Sequence, residues 1–176
     1  MEYQECIFSP ALSLGSGKST LAQNIIFQYP TFKRLSIDNT VLKLHGHYAE
    51  DFPISQYAEF QEEAEVILLA DLKRILRLGR EDIVLDLSFY SKQTRNEYRD
   101  LIKDEGKGKY NILLVVFRGE EESLWKRIEG RRVENTKSRE QGRPTEGMSV
   151  DRATLRMYFD GFEWPDGEGE IVISVE

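Results

Sequence analysis

The stretch Gly15-Ser16-Gly17-Lys18-Ser19-Thr20 follows a short apolar run at residues 3–8. It opens a segment of helical periodicity, residues 18–29, in which Leu21, Ile25 and Ile26 share a face. Glycines at such a junction let backbone N–H groups turn inward around an anion. Lys18 brings a positive charge to β- and γ-phosphate oxygens and Ser19 offers a hydroxyl to Mg2+. The helix N-terminus favours the negative charge. Gly15, Ser16, Gly17, Lys18, Ser19 and Thr20 are therefore read as ATP-binding residues. The full pattern G-x-x-x-x-G-K-[ST] places its first glycine at position 12, which here is Leu12.

Outward from this loop the chain alternates. Residues 33–37 predict a short strand ending at Asp38. Residues 55–78 predict a long helix, with Tyr57, Phe60, Ala64, Ile67, Leu68, Asp71 and Ile75 at helical spacing and Gly79 as its C-terminal cap. Residues 82–87 read as an apolar strand interrupted only by Asp86, and 92–104 as a polar amphipathic helix. Residues 111–117, Asn-Ile-Leu-Leu-Val-Val-Phe, form the most apolar strand of all. A helix at 120–129, an irregular charged stretch at 130–148, a helix at 149–161 and a strand at 170–175 complete the chain. Strands alternating with helices imply βαβ units, and runs apolar on both sides imply strands covered on both faces. The expectation is one α/β domain over residues 1–176, with three layers, α/β/α, and a parallel five-stranded sheet. Ligands of such sheets sit beyond the carboxyl ends of the strands, so the loops after Phe8, Ile37 and Leu87 should converge on one cleft.

Two acids point at that cleft. Asp38 either accepts the proton of an attacking hydroxyl or serves as a helix-cap or turn residue; its position alone does not choose. Asp86 is a carboxylate inside a buried strand, where it needs a partner. The reading favoured here sets it beside Mg2+ with Ser19; the alternative is a hydrogen bond to the phosphate-loop backbone. Arg127 and Arg131 stand one helical turn apart. Five basic residues against two acidic ones between Arg131 and Arg143 suggest a lid over residues 130–148 that closes on triphosphate. Within it Lys137, Arg139 and Arg143 are read as solvated. His45 and His47 flank Gly46 in an expected loop and make no metal site by themselves. Phe89 and Tyr90 lie at the cleft edge, as acceptor-pocket or core residues.

The 176 residues carry a formal charge of −7, which disfavours a protein that grips duplex nucleic acid by its phosphates. Cys6 is the single cysteine, so no internal disulfide forms and a reducing, cytoplasmic setting is expected. No apolar run approaches the ~20 residues of a membrane span.

Residues 15–20, Ile37-Asp38, Val84-Leu85-Asp86-Leu87-Ser88-Phe89, Arg95, Arg127 with Arg131, and Phe162-Glu163-Trp164-Pro165 occur in an order that resembles the small P-loop kinases of the AAA_33, zeta-toxin-like type. The kinase domains of polynucleotide 5′-kinases are similar too. The resemblance spans nearly the whole chain. It implies a P-loop NTPase fold with strand order 2-3-1-4-5 and a small lid. It implies ATP and Mg2+ as cofactors, Asp38 as the residue activating the acceptor hydroxyl, and Arg127 and Arg131 on the phosphates. Leu12 and Leu14 depart from the family loop G-x-P-G-S-G-K-S-T. The expected activity is ATP-dependent phosphorylation of a small-molecule hydroxyl by a monomer. Phosphorylation of a polynucleotide 5′ end, or nucleotide binding without transfer, are the alternatives.

Overall fold

Cys6 and Phe8 are the residues around which the sheet is organised. Both are fully buried on strand β1, Gln4–Phe8, where they lie opposite Ile83 and Leu85 on one side and Ile112 and Leu114 on the other. The computed structural model describes residues 3–8, 15–48, 51–140 and 150–175. β1 is flanked by β3, Asp82–Leu85, and β4, Tyr110–Gly119; β2, Phe32–Leu35, and β5, Glu170–Val175, form the edges. All pairings are parallel and the order is β2-β3-β1-β4-β5, as the resemblance implied. At the start of β1 the Glu5 amide donates to Asp82 Oδ1 at 2.8 Å and the Glu5 side chain accepts from Asn111 Nδ2 at 3.2 Å. Burial pushes the Cys6 thiol up, so it stays protonated and serves as core.

Helices cover both faces. On one, α3, Tyr57–Leu78, and α4, Lys92–Gly106, bring Leu68, Leu72, Ile75, Leu76, Tyr98 and Ile102 onto Phe8, Ile83, Leu85 and Leu114. On the other, α5, Glu121–Glu140, and α6, Arg152–Gly161, bring Leu124, Ile128 and Leu155 onto Val115 and Phe117, with Leu21 of α1, Lys18–Gln28, packed alongside. Gly79 ends α3 in the left-handed conformation at φ 59°, which suits glycine. Ile67, predicted on the apolar face of this helix, is 39% exposed instead.

Two expectations are corrected. The strand predicted to run through Ile37 ends at Leu35, and α2, Ile37–His45, begins at once. Ser36 starts it: its Oγ accepts from the Asn39 amide at 3.3 Å, the capping geometry that diverts a chain from strand into helix. Asp38 thus sits on the first turn of a helix, and His45 on its last, stacked on Phe60 at 3.7 Å and bonded to Glu63 at 2.9 Å. The second correction concerns residues 130–140, expected to be irregular. They continue α5 to Glu140. Their Arg, Glu and Lys residues are sound helix formers that need no apolar stripe, and Gly130 has open space around it. Leu12, Leu14, Arg143 and the rest of the expected lid lie outside the described residues.

Candidate functional site

The loop leaving β1 enters α1 through two glycines in the left-handed region, Gly15 at φ 78° and Gly17 at φ 96°. A Cβ on Gly15 would stand 2.8 Å from the Leu124 carbonyl and 3.0 Å from Ile128 Cγ1, so the loop is pressed against α5 where only glycine fits. Gly17 is the N-cap of α1 and supplies no capping side chain. The first-turn amides are thereby left for an anion. Ser16 Oγ is buried with no partner among the described residues. Uncapped amides, an orphaned buried hydroxyl and the Lys18 ammonium together suit the polyphosphate of a nucleotide.

Lys18 and Ser19 converge on Asp86. This residue follows β3, with its amide donating to the Leu35 carbonyl at 2.9 Å, and its side chain is 2% exposed. Ser19 Oγ donates to Asp86 Oδ1 at 3.3 Å and Lys18 Nζ stands 3.7 Å from the same oxygen. The other oxygen, Oδ2, accepts from Arg34 Nε at 3.0 Å and Nη2 at 2.6 Å. The partner that Asp86 demanded is therefore Arg34 of β2 as well as the phosphate loop. Sequence reasoning missed Arg34, which stands opposite Val84 on the neighbouring parallel strand.

No group of three or more His, Cys, Asp or Glu able to hold a metal occurs among the described residues. A Mg2+ here would rest on Ser19, with Asp86 behind it, and would fill its shell from water and nucleotide oxygens. That sparse protein contribution is what Mg2+ takes in nucleotide sites, and the donor set fits it.

Arg127 lies over the loop, its Nη1 3.9 Å from where a Gly17 Cβ would be. Arg131 follows one turn along α5, beyond Ile128, so the helix face pressed on Gly15 also presents both arginines. Asp38 belongs to a different wall. From the first turn of α2 it accepts a hydrogen bond at 2.9 Å from Tyr57 Oη, on the first turn of α3. Tyr57, read from the sequence only as one of the residues at helical spacing in this helix, is a second residue whose partner was missed.

Other residues singled out in the sequence have structural partners. Arg95 is fully buried and binds Glu168 through Nε at 3.0 Å and Nη2 at 2.7 Å, while Nη1 donates to the Phe89 carbonyl at 3.1 Å. Arg99 joins at 2.8 Å. These guanidinium hydrogen bonds, the Arg95 one foremost, hold the Glu168 carboxyl down to about 2 against the opposing effect of burial. The Arg95 bond pins the loop at Phe89, a non-glycine residue at φ 44° stacked on Phe8 at 4.8 Å. Tyr90 packs edge-on against Tyr158 and Phe162, with its hydroxyl against Gly161. Trp164 meets Phe162 and Phe159 and carries Arg118 above its ring. No helix among the described residues is long and apolar enough to cross a membrane.

Compared with known proteins, residues 13–162 match the family profile AAA_33, described as an AAA domain. No curated protein sequence matches the chain. Among solved structures it is similar to a candidate kinase from Chloroflexus aurantiacus, at 16% identity over 99% of this chain and 86% of that one, with a TM-score of 0.70. It is similar to a chain of the Pnkp1/Rnl/Hen1 RNA repair complex, at 18% identity and TM-score 0.66. That match covers 92% of this chain but spans only 44% of the other. The APS kinase CysC of Mycobacterium tuberculosis, in complex with AMPPNP and APS, matches at 14% identity over 99% of this chain and 90% of that one, with a TM-score of 0.56. At these identities the likeness establishes the fold.

Proposed function

The chain belongs to the AAA_33 family, and from that premise we propose that it is an ATP-dependent kinase transferring the γ-phosphate to a hydroxyl of a small molecule. The observation that carries this reading is the convergence of Lys18 and Ser19 of an uncapped, glycine-shaped loop on the buried carboxylate of Asp86.

Each residue takes a role from its place. The amides of residues 15–20 and Lys18 hold the β- and γ-phosphates. Ser19 would hold a Mg2+ with Asp86 behind it, and the bound ion would supply neutralisation of phosphate charge. Arg127 and Arg131 stabilise the charge that develops on the transferring group. Asp38 takes the proton of the acceptor hydroxyl as its oxygen bonds to the γ-phosphorus and the bond to the bridging oxygen breaks. Residues 130–148 act as the lid, with the outer half of α5 as its stalk. The whole of residues 1–176 works as one domain.

The acceptor wall argues for a small neutral or cationic alcohol over a polynucleotide end. A nucleic-acid acceptor brings phosphates that need cations beside the reacting hydroxyl. The four residues after Asp38 include no lysine or arginine, and residues 37–63 hold six carboxylates against one permanent cation, Lys43. The test is transfer of labelled γ-phosphate from Mg-ATP to a library of hydroxyl metabolites and to 5′-hydroxyl oligonucleotides, with Asp38→Asn alongside. Labelled metabolite with wild type, slowed about 10²–10⁴-fold in the variant, supports the proposal. Labelling of oligonucleotides alone replaces it with end phosphorylation, and nucleotide binding without any transfer reduces the protein to a binder.

A further inference from the structure

Asp38 is exposed, yet one of its oxygens is already engaged: Tyr57 Oη donates to Oδ1 at 2.9 Å, joining the first turn of α2 to the first turn of α3. A carboxylate on a solvent-facing helix turn ordinarily samples several rotamers. This one is held by a phenol whose own ring is fixed. Tyr57 packs edge-on against Tyr48 at 4.8 Å and parallel to Phe52 at 6.4 Å, and Phe52 is buried against Phe60. The anchor thus runs from the α2–α3 core, Val41, Phe52 and Ala64, through a rigid ring, to the carboxylate.

We infer that Tyr57 is a positioning residue that aims Asp38: by occupying Oδ1 it leaves Oδ2 as the oxygen that faces the acceptor hydroxyl. This rests on the reading of Asp38 as proton acceptor. The phenol keeps its proton, because burial first, and then the Asp38 charge and the hydrogen bond to it, push it well above the usual tyrosine range. A donor that never ionises in the working range holds the carboxylate in one orientation throughout. The other groups acting on Tyr57 are the phenols of Tyr158, on α6, and Tyr48. His45, at the far end of α2, is taken up by Glu63. No cation among these competes for Asp38.

Tyr57→Phe removes the hydroxyl and keeps the ring in its packing, which makes it the decisive variant. Carbon-13 NMR of aspartate-labelled protein, with the Asp38 signal identified by its loss in Asp38→Asn, follows the carboxyl directly and needs no acceptor. The Asp38 carboxyl signal is expected to shift and broaden in Tyr57→Phe, as the hydrogen bond is lost and the side chain samples several rotamers. Phosphate release from Mg-ATP, with water as the probe acceptor, is expected to fall about tenfold in kcat, with KM for ATP unchanged. A Tyr57→Phe protein whose Asp38 carboxyl signal coincides with that of wild type overturns the inference, even if its rate falls. If Asp38→Asn releases phosphate as fast as wild type, the reading of Asp38 itself is overturned. If Asp38→Asn is slow while Tyr57→Phe is wild-type in every respect, that reading stands and only the role of Tyr57 is lost.

Discussion

Both hydrogen bonds that Arg34 donates to Asp86 end on the same oxygen, Oδ2, at 3.0 and 2.6 Å, which leaves Oδ1 to Ser19 and Lys18. Replacing one partner of a buried ion pair strands the other charge. Arg34→Met is expected to destabilise the fold by about 3 kcal/mol, a midpoint fall of roughly 6–12 °C. Arg34→Lys recovers only part, because an ammonium cannot reproduce the fork. Thermal melts of both variants check this; a methionine variant as stable as wild type would mean that Asp86 draws its compensation from the phosphate loop alone.

Mg-ATP should protect the fold. At 100 times its Kd a ligand adds ~2.7 kcal/mol, a midpoint rise of roughly 5–11 °C for a chain of this length. Lys18→Ala should abolish most of that rise, measured against its own melting point without nucleotide. If wild type melts identically across millimolar Mg-ATP, the phosphate loop does not bind it.

The two loop glycines should differ under substitution. Gly15→Ala meets the Leu124 carbonyl and Ile128 as well as a left-handed φ, and is expected to cost about 1–3 kcal/mol. Gly17→Ala meets only the Arg127 guanidinium, at an ordinary contact distance of 3.9 Å, and bears just the conformational penalty, about 1 kcal/mol. Urea midpoints at constant m-value read the difference. Equal losses would show that α5 yields freely at Gly15.

Arg127→Ala and Arg131→Ala should lower kcat more than they raise KM for ATP, since interactions made with developing charge act on the transition state. Lys137→Ala, farther along the exposed half of α5, should do neither. Steady-state kinetics with the acceptor found by screening decides; three equal effects would reduce the helix to diffuse positive charge.

Glu168 sets an acid limit on stability. Its carboxyl, held at about 2 by Arg95 and Arg99, is depressed relative to the unfolded chain. Its contribution is therefore complete above the ordinary glutamate value and fades as pH falls from there toward 2. The stability gap between wild type and Glu168→Gln should accordingly shrink by about 2–3 kcal/mol between pH 6 and pH 2.5. Denaturant melts at the two pH values measure it, and a gap independent of pH would assign Glu168 a role in shape alone.

Much of this was legible from residue patterns. The loop at residues 15–20 is a local signal, requiring only glycines and a strand–helix junction, and the apolar runs of β3 and β4 announced their burial. Asp38 was located but misplaced: the serine cap at position 36, which sends the chain into α2, was hidden by the apolar Leu35 and Ile37 around it. The outer half of α5 lacks the apolar periodicity on which helix reading depends, so only its propensities spoke for it. Arg34 and Tyr57 escaped because their partners, Asp86 and Asp38, lie 52 and 19 residues away, and spacing along the chain says nothing about such meetings. Arg95 was given no role from the sequence, because its partner Glu168 lies 73 positions distant.

Helix α5 touches the phosphate loop near its inner end and runs on as a single rod to Glu140. From Ile128 to Glu140 is about 18 Å of helix, and from Ile128 to Arg131 about 4.5 Å. With Ile128 as fulcrum, the rod has a mechanical advantage of about four. A tilt of roughly 10° sweeps its tip through ~3 Å while carrying Arg131 less than ~1 Å. A coarse push at the tip is thus geared down to a fine adjustment of an arginine over the phosphates.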